Sequence, residues 1–165
     1  MKRLALFTAL GLLSACGDPT GPGGALNETN AALEADFCIL GAPPTASRSV
    51  NDTLSVFGGV TEPGHTDDPG PDSTVVMEGG VGPGGSDPRH GGWTWVRGVP
   101  RNQSSGFSDF AQILVAPNTP GTYAYALRVS FDTVAGWTYC DLDGAGSQTG
   151  LTFSADTLGV FTVVP

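Results

Sequence analysis

The sequence predicts an all-β fold, a sandwich of about seven to eight short antiparallel strands. Three observations predict it. From Asp36 onward the chain runs in short β-rich stretches broken by Gly and Pro. Its 165 residues include 25 Gly and 13 Pro, which suits many turns and few helices. No segment shows helical periodicity over about ten residues or more.

The predicted strands follow one another at turn-length spacing. Phe37–Leu40 and Thr53–Val60 open the series, then Thr74–Glu78 and Trp93–Arg97 on either side of a glycine-rich stretch. Phe110–Val115, Gly121–Phe131, Gly136–Asp141 and Leu158–Val164 complete it. The clearest alternation runs over Tyr123–Phe131. There Tyr123, Tyr125, Leu127, Val129 and Phe131 alternate with Ala124, Ala126, Arg128 and Ser130. That period of two predicts one apolar face and one small or polar face. No internal repeat is visible.

The N-terminus carries a different signal. Lys2 and Arg3 precede an apolar run from Leu4 to Leu13, then Ser14-Ala15-Cys16. A run of about ten residues is half of the roughly 20 that a membrane-spanning helix needs, so it reads as a signal segment. Leu13-Ser14-Ala15-Cys16 resembles the lipobox of bacterial lipoproteins. The resemblance implies export, cleavage before Cys16 and lipidation of Cys16. An anchor of two or more acyl chains is durable. Gly17 stands where an Asp would favour inner-membrane retention, so the expected location is the outer membrane or cell surface. The expected organisation is a signal peptide over 1–15, a flexible Gly/Pro-rich tether over 16–35 and a β-sandwich domain over 36–165.

After removal of Lys2 and Arg3, five basic residues, all Arg, face 16 acidic ones. Such a chain repels nucleic-acid backbones and anionic headgroups, so no nucleic-acid partner is expected. The acidity suits a solvated, exported domain. With Cys16 lipidated, Cys38 and Cys140 remain, and an even pair in an exported chain reads as a disulfide. It would close a loop of about 100 residues, for which chain entropy gives roughly 4–5 kcal/mol.

Four segments then occur in order: Val81-Gly82-Pro83-Gly84-Gly85-Ser86-Asp87-Pro88, Trp93-Thr94-Trp95-Val96, Pro120–Arg128 and Trp137-Thr138-Tyr139-Cys140-Asp141-Leu142-Asp143-Gly144. Together they resemble an immunoglobulin-like β-sandwich module of secreted bacterial proteins that ends in W-x-Y-C-D-x-D-G. The resemblance covers about residues 36–164 and implies an immunoglobulin-like sandwich. A Cys in the module's first strand matches Cys38. Val81 and Leu127 stand where the module carries aromatics.

The motifs give little chemistry. Gly80–Gly85 fits G-x-G-x-x-G, but a loop, Ser86–Gly92, follows where a dinucleotide site needs a helix. No Lys follows Lys2, which excludes a P-loop. No Ser sits in G-x-S-x-G, and His65 and His90 lie in Gly/Pro-rich loops. His65, Asp67, Asp68 and Asp72 form a polar loop with oxygen ligands for a divalent ion. Asp141 and Asp143 open a sequence like a calcium loop but lack the closing Glu. Calcium is thus the one metal held open, and no cofactor is expected.

The aromatics are the remaining candidates. Trp93 and Trp95 share a strand face, as do Tyr123 and Tyr125, and Trp137 and Tyr139. Two readings stand open. Such pairs pack the inner face of a sandwich, or an exposed face stacks on sugar rings. The expectation is a non-catalytic, lipid-anchored envelope lipoprotein whose sandwich is a structural or interaction module, with another envelope protein as partner. The alternative is a carbohydrate-binding module that holds a polysaccharide on Trp93, Trp95, Trp137 and Tyr139.

Overall fold

The computed structural model describes residues 35–68, 70, 72–104, 106–131, 136–143 and 155–165. Ten strands form two sheets: β1 (Phe37–Ala42), β2 (Thr45–Ser49), β3 (Thr53–Thr61), β4 (Val75–Pro83), β5 (Thr94–Arg97), β6 (Val99–Ser104), β7 (Phe107–Val115), β8 (Gly121–Phe131), β9 (Thr138–Cys140) and β10 (Gly159–Val164). The smaller sheet has the order β1-β3-β7-β6. The larger has the order β2-β10-β8-β4-β5, with β9 also on β8. β10 and β9 share one edge of β8, alongside Gly121–Tyr125 and Leu127–Val129 respectively. All pairings are antiparallel except β2 with β10. This is the immunoglobulin-like arrangement, with the first strand divided between the sheets.

The strand count exceeds the expected seven to eight because two strands carry little apolar signal. β2 reads Thr-Ala-Ser-Arg-Ser and β6 reads Val-Pro-Arg-Asn-Gln-Ser. Both lie at sheet edges, where one side of the ladder faces solvent and polar residues and Pro are tolerated. β4 also continues through Gly79–Pro83, beyond the expected end at Glu78. Tertiary packing overrides the low strand propensity of those glycines, as described below.

The core lies between the sheets. Leu40, Leu54, Val56, Val60, Phe110 and Leu114 meet Met77, Tyr125, Leu127, Val129 and Phe161, all buried. The ring of Tyr125 stands edge-on to Phe161. Its hydroxyl donates to the Pro43 carbonyl, and burial pushes its pKa up to about 12. Gln112 also points into this core at 1% exposure, and neither atom of its amide has a hydrogen-bond partner.

Cys38 on β1 and Cys140 on β9 form a disulfide, with Cα atoms 5.1 Å apart. The bridge joins the edge of the smaller sheet to the larger one. Two hydrogen bonds run beside it: the Leu40 N–H donates to the Asp141 carbonyl at 2.7 Å, and the Ala35 N–H to Thr138 Oγ1 at 3.1 Å. Cys16 and the whole of residues 1–34, with the expected signal peptide and most of the tether, lie outside the described residues.

Candidate functional site: an aromatic and arginine ladder

The outward face of the larger sheet is built from small residues. Gly80 and Gly82 of β4 pair with Ala126 and Ala124 of β8. Alternation predicts a small or polar face there, and every residue from Ala124 to Phe131 is nonetheless buried. The cover comes from neighbouring segments. Ala124, Ala126, Tyr139 and Leu158 form a second apolar cluster, with Trp93, Trp95 and Trp137 packed on it.

Two glycines make the seats. Trp95 pairs with Gly80 across β5 and β4. A Cβ on Gly80 would stand 2.5 Å from Trp95 Cε3. A Cβ on Gly82 would stand 2.3 Å from Trp93 Cε2 and 2.4 Å from Trp93 Cδ2. Those two atoms share the fusion bond of the indole, and an atom reaches both at once only from the ring face. Trp93 therefore lies face-down on Gly82. Its Nε1–H donates to Ser86 Oγ at 3.0 Å, and the Ser86 hydroxyl donates to the Pro83 carbonyl at 2.7 Å. These bonds fix the ring.

From Trp93 the contacts run across the sheet. Trp93 and Trp95 are offset-parallel, with centroids 5.6 Å apart and planes 20° apart. The guanidinium carbon of Arg128 lies 4.0 Å from the Trp95 centroid and 4.1 Å from that of Trp137. Trp95 and Trp137 belong to segments on opposite sides of β8, so the guanidinium bridges the two rings. Tyr139, fully buried, meets Trp95 edge-on at 6.1 Å. Glu78, opposite Arg128 in register, accepts from Nε at 3.0 Å and from Nη2 at 2.7 Å. Its carboxylate balances the cation, and each ring face on the cation contributes about 0.5–2 kcal/mol.

The three Trp rings are thus half-buried on the outer face of the sheet. They lie neither between the sheets nor free in solvent. Trp95 touches both another indole and the guanidinium, so contacts within the protein occupy much of its ring. Only Tyr125 of the paired aromatics is a main-core residue in full.

A scan against protein-family models finds no match, and a search of curated proteins finds no significant one. The geometry therefore carries the functional argument.

The other candidates fall elsewhere. Asp141 is buried at the end of β9. It accepts from the Asp143 N–H at 3.2 Å and from the Thr157 hydroxyl at 2.6 Å. Burial, with the Asp143 carboxyl beside it, pushes its pKa up. Its contribution to stability is complete below pH 3.8 and is lost as pH rises through the raised value. Asp143 is exposed. Among the described residues, no group of three or more His, Cys, Asp or Glu side chains stands together to hold a metal ion.

His65, Asp67, Asp68 and Asp72 line a cavity of about 390 Å³ with Gln103. His65 stacks on Phe131 at 4.8 Å, and its Nδ1 lies 2.9 Å from Thr74 Oγ1 and 3.4 Å from Asp72 Oδ2. Asp87 takes a two-pronged contact from Arg89 at 2.8 and 2.6 Å, and the largely exposed His90 stands 3.8 Å from it. Burial raises both Asp72 and Asp87, but hydrogen bonds outweigh it and hold both pKa values down. The stability they add is present above pH 3.8 and is lost as pH falls through the lowered values.

Sequence reasoning found the rings but missed what organises them. Arg128 read only as one cation among several, and Glu78 as the end of a strand. One signal was present. Gly80-x-Gly82 and Trp93-x-Trp95 share a spacing of two, the pattern of large rings laid over a glycine track on the next strand.

Proposed function

We propose that this chain is a non-catalytic, lipid-anchored module of the bacterial cell envelope, whose β-sandwich serves as an interaction surface. The anchor is Cys16, and Gly17 after it favours the outer membrane or cell surface. The partner is another envelope protein. The ladder of Trp93, Trp95, Arg128 and Trp137 carries the reading. Trp, Tyr and Arg are the side chains that dominate binding energy at protein interfaces. Here the three Trp rings are half-buried and, with the nearly buried Arg128 among them, already held in place, so docking onto them costs little side-chain ordering. The immunoglobulin-like order of strands and the Cys38–Cys140 bridge agree with the secreted module that the sequence resembles.

The anchoring is tested with the full chain in bacteria fed a tagged fatty acid. Wild type should take up label and sediment with membranes, and Cys16→Ser should do neither. A Cys16→Ser chain that still sediments with membranes would overturn the anchor. The interaction is tested by placing a photo-cross-linking residue at Arg97, exposed on the ladder face of β5. One discrete envelope protein should be trapped in intact cells, and trapping should fail when Trp137→Ala is added. Cross-linking to nothing from that face would overturn the interaction surface.

A further inference from the structure

A cleft of about 420 Å³ opens between the two sheets, at the end opposite the acidic His65 cavity. Its size lies within the roughly 300–1,000 Å³ of small-ligand sites. Pro83 and the ring of Tyr123 give it apolar walls, and Asn51, Asn118 and Thr94 give it polar ones. No lining residue carries a charge, on a chain with 16 acidic side chains. The Tyr123 hydroxyl donates to the Thr119 carbonyl at 2.9 Å, so this residue offers the cleft its ring. Gly82 lines the cleft with its backbone, while Trp93 covers the same glycine from the outward face of the sheet.

The walls are braced. Asn51 sits in the left-handed region at φ 62°, a conformation that Asn tolerates better than most side chains. Its N–H donates to the Ala116 carbonyl at 3.2 Å, and the Ala116 N–H donates to the Asp52 carbonyl at 2.7 Å. The β2–β3 turn and the segment after β7 are thereby tied together, with Asn51 and Asn118 on them.

We propose that this cleft binds a neutral sugar unit. A pyranose is uncharged, has an apolar C–H face for an aromatic or proline wall, and has hydroxyls that both donate and accept. A carboxamide matches such hydroxyls because it too does both. An anionic ligand finds no cation in the lining, and a cationic ligand no carboxylate. A proline-rich peptide docks between several parallel aromatic ridges, and one ring lines this cleft. The site is distinct from the ladder proposed as a protein contact.

The test is titration of the detergent-solubilised full chain with maltose, cellobiose and chitobiose. Amide chemical shifts of Gly82 and Gly92 on one wall, and of Ala116 and Asn118 on the other, are the readouts. One of these sugars should shift both sets. Asn118→Ala, in an exposed loop, should weaken that sugar about tenfold. Thr94→Arg, which puts a charged side chain into the lining, should abolish binding. Gln103→Ala, at the opposite cavity, should leave affinity unchanged. No response to any of the three sugars overturns the proposal. So does a sugar whose affinity is untouched by Asn118→Ala and Thr94→Arg, or a response to a proline-rich peptide alone.

Discussion

The two outward faces of the sandwich use similar residues to opposite ends. On the larger sheet, Gly80, Gly82, Ala124 and Ala126 leave room for rings to lie down, and Trp93, Trp95 and Trp137 become half-buried. On the smaller sheet, Ile113 is 62% exposed, Val115 54% and Phe107 36%, with Val99 beside them at 66%. That face has one comparable seat, Gly59, against which the Phe107 ring lies. Among the described residues it also has one comparable cation contact, Arg101 at 4.6 Å from the Phe57 centroid, paired with Asp109 at 3.2 Å. Yet Arg101 is half exposed while Arg128 is nearly buried. The lesson is that apolar side chains on a sheet surface are covered only where small residues on adjacent strands repeat in register. A cation over an aromatic ring contributes more once the surrounding rings exclude water.

The contrast can be broken at several points. The largest effect is expected from Cys140→Ser. It frees β9, the strand beside the far end of the ladder, from the smaller sheet. For a sequence separation of 102, the loss should be about 4–5 kcal/mol in denaturant melts. A free thiol should appear at Cys38. Arg128→Met should follow, at about 2–3 kcal/mol, because Glu78 loses its partner and two rings lose their cation. The near-ultraviolet circular dichroism of the Trp residues should collapse with it. Gly82→Val should cost about 2 kcal/mol by lifting Trp93 off its seat, seen as a red shift of emission. The smallest effect is expected from Ile113→Thr, on the bare face, within about 0.5 kcal/mol in the same melts. A Gly82→Val chain as stable as the Ile113→Thr chain would erase the distinction between the two faces.

How much was legible follows from particular residues. Gly121–Phe131 shows a clean period of two and ends where expected. β2 and β6 were illegible because edge strands need few apolar side chains. Gly79–Pro83 looked like a loop because glycine has low strand propensity on its own. It is strand because the Trp rings above it need the absence of Cβ atoms. Gln112 sits on a strand whose alternation places it inward, but no local pattern marks an inward amide that lacks a hydrogen-bond partner.

The sequence by itself determined the all-β class, the sandwich and the two cysteines available to staple it, because alternation, turn residues and cysteine number are local properties of the chain. It also carries the lipobox-like Cys16. Tertiary structure alone decided which aromatics face inward and which cover the outside. Tyr125 and Trp95 have the same apolar character and both sit in an i, i+2 aromatic pair. One fills the core and the other roofs a glycine track, because the choice depends on which strand lies next door. Pairing of β4 with both β5 and β8 brings Trp95 and Arg128 to one face, and no property of either segment alone contains that contact.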